Sequence, residues 1–582
     1  MKRLILSFVA ICSISAQISF TGNTETRIGE SSSGFYYNET LINTNLQYSA
    51  FTNWIQLEYS DPPELGRSIN GVRKFRLEYD NGPIQLKLGD LYEIWGRGLV
   101  LNSVDDQAID RDSGIRGITL MYNSDLFSTQ FIAGKADISQ STINALGFNN
   151  RKHNYHTSHN LYGLNIEKLF GDHNIGFSFL QGLEKHPINT FPSDTIDIKN
   201  QLHSLNYGYM SSLFDFYVEY IMSRSYEFEE DTWNSHTTGK GLYGNLNLYF
   251  NLFSINLEYI NYRYAAIDPI SRFNIVDYYG FSQPYQNPPV AVYIHENVLM
   301  NRISHQTDFN NEVGYKAELM GSFSDNIEFL SIFSQSNRTH SWVMDENFMW
   351  IKDKKLSSLP NYNPAAMPFK DFYSELTFRS FNNNLFIKLG YADTKDIVDL
   401  LQNTVTDTSQ SLTYSLASAK TIPLNFSYSF NNGWSIESKI ELQWLKKGYW
   451  WYEEKNNEII ADSLMSIFLD DDGKRLEQEK NSFISLTVSK SPKWSFTLTS
   501  DQTSVKESFL ENKSIINPLE KFLGIDQERN WVNIEFVYHL TSSMRFSLMY
   551  GSLKGGLLCT NGVCRIIEPF DDGFKISLST VF

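Results

Sequence analysis

The residues best suited to chemistry come in three short runs. In "YEIWGRGLVL", residues 92–101, Gly96 and Gly98 flank Arg97, and glycine permits close backbone approach on either side of that cation. Directly after it, "DDQAIDRDSGIR" crowds Asp105, Asp106, Asp110 and Asp112 against Arg111 and Arg116. Mixed charge at that density, with Trp95 and Arg97 beside it, suits a segment over 90–113 folded into a pore as a constriction. It equally suits an external loop laced with ion pairs. A calcium site would need oxygen ligands in a set order, and these aspartates match no EF-hand loop. The second run, "CTNGVC", places Asn561-Gly562 at the centre of a two-residue turn. Thr560 and Val563 then pair first, and Cys559 faces Cys564 across the hairpin. The Cα atoms of a non-hydrogen-bonded pair lie about 4.5 Å apart, near the short end of disulfide geometry. A disulfide is therefore expected in an oxidising compartment. The third run, "HNYHTSH", holds His153, His156 and His159 in a loop leading into a strand, where a spacing of three aligns nothing. No metal or other cofactor is assigned. His539 with Glu535 on one strand face is the nearest approach to an acid–base pair, and no catalytic residue follows from it.

The elements that must position these runs are strands. "GWSIESKIELQWLKK" puts Trp434, Ile436, Ile440, Leu442 and Trp444 on one face and Glu437, Lys439, Glu441 and Gln443 on the other. Period two with one apolar and one polar face defines a strand. Its predecessor "IPLNFSYSF" is joined to it by Asn431-Asn432-Gly433, and the same unit recurs around Asn123-Ser124-Asp125, Gly171-Asp172-His173, Ser324-Asp325-Asn326, Asn382-Asn383-Asn384, Ser491-Pro492 and Thr541-Ser542-Ser543. Longer segments lie between the pairs: 137–158, 184–200, 225–239, 265–311, 337–371, 393–418, 447–479, 503–528 and 554–572. Short and long connections alternate. A soluble propeller or sandwich has no reason to alternate them, whereas a transmembrane barrel turns tightly on the periplasmic side and loops widely outside. The expected fold is all-β: an antiparallel up-and-down transmembrane barrel over 17–582 with about 24 strands, within a range of roughly 20–26. Each strand should run about 9–11 residues, and the outer face should meet outer-membrane lipid.

Both ends of the chain agree with that reading. "MKRLILSFVAICSISAQ" has a basic start, an apolar run far short of the ~20 residues of a spanning helix, and small residues near Ala16; residues 1–16 read as a secretory signal peptide. At the other end, "DDGFKISLSTVF" sets Phe574, Ile576, Leu578 and Phe582 on one side of a strand that stops on an aromatic residue. This termination resembles the closing-strand signature of bacterial outer-membrane barrels, which implies the barrel-assembly machinery as a partner. The net charge of −17 argues against a nucleic-acid partner.

Three stretches carry a wider resemblance: "LGDLYEIWGRGLVLNSVDDQAIDRDSGIRG" (88–117), "PPVAVYIHENVLMNRISHQTDFNNEVGY" (288–315) and "GSLKGGLLCTNGVCR" (551–565). In these the chain resembles the domain-of-unknown-function 6029 family of Gram-negative outer-membrane proteins. The resemblance implies a barrel and transfers no catalytic residue. Two functions are expected from the barrel: a porin-like or substrate-specific channel for a small solute, or a surface scaffold that binds a glycan or partner protein. Aromatic loops such as "DYYGFSQPYQNPPVAVY" (277–293) motivate the second.

Overall fold

In the computed structural model the chain is almost entirely strand. The structure describes residues 18–140, 151, 155–187, 195–264, 269, 282–303, 305–380, 382–406, 408–456, 458–506, 529–560, 563–567 and 569–582. The expected signal peptide lies outside the described residues. Twenty-four antiparallel strands form one closed sheet, each bonded to its neighbours in chain order. The last, Phe570–Val581, pairs with the first, Ile18–Glu30, from Glu30 opposite Phe574 to Asn23 opposite Val581. The ladder extends to the final residue. The Gly22 N–H donates to the Phe582 carbonyl at 2.9 Å, and the Phe582 N–H donates back to the Gly22 carbonyl at 3.0 Å. Closure satisfies the backbone groups that an open edge would leave bare in lipid.

The burial pattern is that of a membrane barrel. On the strand Trp434–Lys455, Leu442 is 42% exposed, while its neighbours Glu441 and Gln443 are 1% and 3% exposed. Apolar side chains therefore point outward and polar ones inward, as lipid outside and polar contents inside require. Aromatic rings gather beside the short turns: Phe250 stacks on Phe253 at 4.5 Å, Phe323 on Phe329 at 4.7 Å, and Trp434 meets Trp494 edge-on at 5.3 Å. That belt is an interfacial girdle.

At the opposite end the strands run further than expected. Leu385–Val405 and Ser409–Ser429 have 21 residues each and Trp434–Lys455 has 22. Residues 225–239 and 393–418, expected as loops, are instead the ends of long hairpins, because cross-strand pairing continues beyond the apolar band. Within 447–479, an extra strand outside the barrel, Glu458–Ser466, pairs with Gly448–Lys455.

Candidate functional site

Two chain segments leave the long-loop end and fold back inside the barrel. The first joins the strands Ile84–Leu91 and Ile115–Asn123. Gly96 and Gly98 hold φ of +56° and +86°, which glycine adopts without strain. They close a tight turn in which the Gly98 N–H donates to the Trp95 carbonyl at 2.9 Å. Ile94–Trp95 then pairs with Leu101–Asn102, and Asp105–Asp106 with Arg111–Asp112. Trp95 is fully buried against the barrel wall. Its Nε1 donates to Gln130 Oε1 at 2.8 Å, and Gln130 Nε2 donates to Glu93 Oε2 at 2.8 Å. A Cβ at Gly163 would lie 2.6 Å from the Trp95 ring, so this wall position must stay bare. The Arg97 N–H donates to Glu219 Oε2 at 2.8 Å, and its guanidinium lies 5.1 Å over the Tyr217 ring. Leu99, Val100 and Leu101 complete a dry core with Ile132, Leu161, Leu180, Leu202 and Ile221 from the wall.

The charged half of the same segment is neutralised by the neighbouring strand Asn70–Asp80. Asp105 takes Arg73 Nη2 at 3.2 Å and Lys74 Nζ at 2.5 Å, and Asp112 takes Lys74 Nζ at 3.1 Å. Tyr92 Oη also donates to Asp112 Oδ1 at 3.0 Å. Burial alone would raise the Asp112 carboxyl, but Lys74, the Gly114 N–H and Tyr92 outweigh it and hold it below its ordinary value. Burial pushes the Arg111 guanidinium down to about 10 against the opposing pull of Asp106. Asp106 itself accepts the Ala108 N–H at 3.0 Å. Asp110 sits at φ +48° beside Gly66, where any Cβ would meet its carboxylate. The seven residues singled out in sequence thus share one inward-folded segment, with Trp95 at the dry wall, Arg97 exposed over the Tyr217 ring, and the aspartates in the ionic half.

The second segment, expected as an external loop, instead lies inside the barrel. Residues 282–303 and 305–310 run through the interior; residues 277–281 and 304 lie outside the described residues. Tyr285, expected on display for a glycan, is fully buried with its ring edge-on to His159 at 5.3 Å. A short helix, Val298–Asn301, reaches the far wall. There Glu441 accepts the Val298 and Leu299 N–H groups at 2.9 and 2.8 Å. Gln443 Nε2 donates to the Leu299 carbonyl at 2.8 Å, and Arg302 Nη1 donates to Asp501 Oδ1 at 3.0 Å. His295 Nε2 lies 3.0 Å from Asp371. His305 stands between Asp396 at 3.0 Å and Glu312 at 3.4 Å, with Arg338 bound to Asp308 at 2.6 Å nearby. Burial opposes charge on His305, but the two carboxylates prevail and raise it to about 9. The two segments also hold each other: the Asn102 N–H donates to the Tyr285 carbonyl at 2.9 Å, and Arg111 Nη2 reaches the Pro284 and Gln286 carbonyls at 3.5 and 3.4 Å. One signal was available in sequence. Glu441 sits on an inward face, and "PPVAVYIHENVLMN" is too apolar for a solvated loop.

The remaining sites are scattered. Cys559 and Cys564 stand opposite each other in the backbone register of the hairpin Gly556–Thr560 and Val563–Ile567, with Thr560 opposite Val563; Asn561 and Gly562 lie outside the described residues. His156 and His159 are on the strand Tyr155–Phe170, not in a loop, and His153 lies outside the described residues. His159 and His186 flank the buried Glu184 at 3.3 and 2.9 Å. Phe582 stacks on Phe20 with ring centroids 5.5 Å apart.

The family model described as a family of unknown function, DUF6029, matches residues 7–582. The chain belongs to this family. No curated protein matches the DUF6029 chain by sequence. Among solved structures it is similar to the siderophore receptor PirA from Pseudomonas aeruginosa, at 8% identity and a TM-score of 0.43 over 98% of this chain and 81% of that one. It is similar to the copper transporter OprC at 8% identity and a TM-score of 0.41, over 97% and 81% of the two chains. For OccK3 (OpdO) of Pseudomonas aeruginosa the values are 11% and 0.35, over 65% and 91%.

Proposed function

We propose that the protein is an outer-membrane channel for a specific small solute, closed at rest by two of its own loops. The observation that carries this reading is the pair of segments, 92–114 and 282–310, packed inside the barrel and tied to its wall. Barrels of about 16–18 strands already leave an aqueous channel. A lumen bounded by 24 strands would be wider still and unselective. Filling it leaves room only for a solute that fits what remains, and the charged run from Asp105 to Asp112 narrows it. In this reading the short turns and both termini face the periplasm, the long hairpins face outside, and the apolar belt meets outer-membrane lipid.

Conductance in a planar bilayer tests the proposal. The parent should pass little current. Glu441→Ala combined with Arg302→Ala removes the acceptor of two helix N–H groups and the Asp501 pair. Each buried group left unpaired costs about 1–3 kcal/mol, so the helix should leave the wall and the current should rise and persist. A correctly folded double variant that conducts no better than the parent would rule out the closed-channel reading. For the surface-scaffold alternative, Tyr285 is buried and not available to a glycan, while residues 277–281 of the same stretch lie outside the described residues.

A further inference from the structure

Strands from Ile115–Asn123 to Phe253–Tyr264 wrap the dry core built on Trp95 and Tyr285. Two cavities lie along the seam where the first and last strands meet. One cavity of about 430 Å³ is bounded by the first strands and the ionic half of the inward segment. A second, of about 470 Å³, is bounded by the helix Val298–Asn301 and the last strands. Both sizes fall within the about 300–1,000 Å³ typical of small-ligand sites. The two share Glu64, Leu65 and Ile567 at their boundary. Glu64 is held there from both sides, by Arg27 at 3.9 Å and by Lys575 at 2.7 Å.

The wall of the first cavity is charged but presents no single sign. Arg27 is taken by Glu39 at 2.8 Å, Arg73 by Glu58 at 3.2 Å, Arg116 by Asp90 at 3.0 Å and Lys135 by Asp137 at 2.8 Å. Two groups stand apart. Arg67 has no carboxylate within salt-bridge distance among the described residues, and Glu25 meets only Arg27 Nε at 3.9 Å. The lining carries eight carboxylates against six cations, so a simple anion finds no field to favour it, and a neutral apolar solute would strip water from charged walls without compensation. A molecule with one charge of each sign has a partner for both.

The geometry points to a binding site for a small zwitterion of amino-acid or dipeptide size in this seam-side cavity, its carboxylate on Arg67 and its ammonium on Glu25. The second cavity continues the route past Glu64. The inference rests on the channel reading for its purpose, but its test does not depend on conductance.

The test uses the purified full chain with Cys12→Ser, Cys559→Ser and Cys564→Ser, so that introduced cysteines are the only reporters. Leu41→Cys and Gln107→Cys line the first cavity and Thr499→Cys the second, whereas Leu180→Cys lies in the dry core. A small polar thiol reagent should modify the three cavity cysteines rapidly and Leu180→Cys hardly at all. Diglycine at ten times its dissociation constant should slow modification at 41 or 107 about tenfold, as mass action requires. N-acetylglycine and glycinamide, each with a single charge, should protect far less. Arg67→Ala should abolish protection while leaving reactivity intact. Cavity cysteines as inert as Leu180→Cys would overturn the seam-side cavity. Reactive cysteines that diglycine does not protect, or that the singly charged compounds protect as well, would overturn the ligand class. A channel that never conducts while diglycine still protects would defeat the channel reading and leave the site standing.

Discussion

At the residue scale, the decisive groups are buried charges that find partners across the lumen. His305 shows what such a partnership implies for pH. Asp396 and Glu312 raise its pKa to about 9 in the folded chain, from an ordinary value of about 6.5. Its stabilisation of the inner segment is therefore complete below pH about 6.5 and disappears as pH rises through about 9. Protease release of residues 282–310 should increase between those limits in the parent. In His305→Gln that step should be missing; an identical pH profile in both proteins would remove His305 from the anchor. Phe582 is the other residue whose role can be isolated. Its backbone closes the ladder with Gly22 and its ring stacks on Phe20. Deleting Phe582 should sharply reduce heat-modifiable barrel in the membrane, Phe582→Tyr should be mild, and Phe582→Asp should be at least as harmful as deletion. Parental assembly by both the deletion and Phe582→Asp would contradict a role for the terminal aromatic in assembly. We further expect Cys559 and Cys564 to be joined. The parent should alkylate only after reduction, whereas Cys559→Ser should expose a thiol at once.

At the element scale, the inward segments behave as separate modules packed on a rigid wall. Gly96 is the tightest point of the first. A Cβ there would lie 2.5 Å from the Glu219 carboxylate, and its φ of +56° disfavours a side chain. Gly96→Ala should therefore break the Arg97 N–H bond to Glu219 and free the segment while the barrel stays closed. Trp95→Ala should act in the same direction, because removing a buried aromatic side chain costs about 3–5 kcal/mol. Limited proteolysis within 92–114, read beside an unchanged heat-modifiable band, checks both. If both variants resist the protease as the parent does, the segment is held by something other than its Trp95 and Gly96 contacts. The long hairpins show a related independence: Leu385–Val405 and Ser409–Ser429 keep their pairing well beyond the apolar band.

At the scale of the whole molecule, the orientation of the barrel can be tested directly. Phe348→Cys and Asp472→Cys, at the long-loop end, should label on intact cells with an impermeant thiol reagent. Ser124→Cys, Asp325→Cys and Asn432→Cys, in short turns, should label only once the outer membrane is opened. The opposite pattern would invert the barrel. The sequence alone determined the strands and their alternation, because side-chain period and turn residues are local properties of a chain. It also determined closure, because lipid forbids a free edge, and about 24 strands, because alternating strand segments recur along the whole chain. Trp95, Arg97 and the aspartates from 105 to 112 stood out for the same local reason. Only the tertiary structure decided what fills the lumen. Glu441 and Val298 lie far apart in the chain, and their hydrogen bond depends on a curvature that closes only when all the strands have paired. The segment 282–310 has the chain position of an outer loop, and only the far wall, with acceptors for its helix N–H groups and a carboxylate for Arg302, fixes it inside.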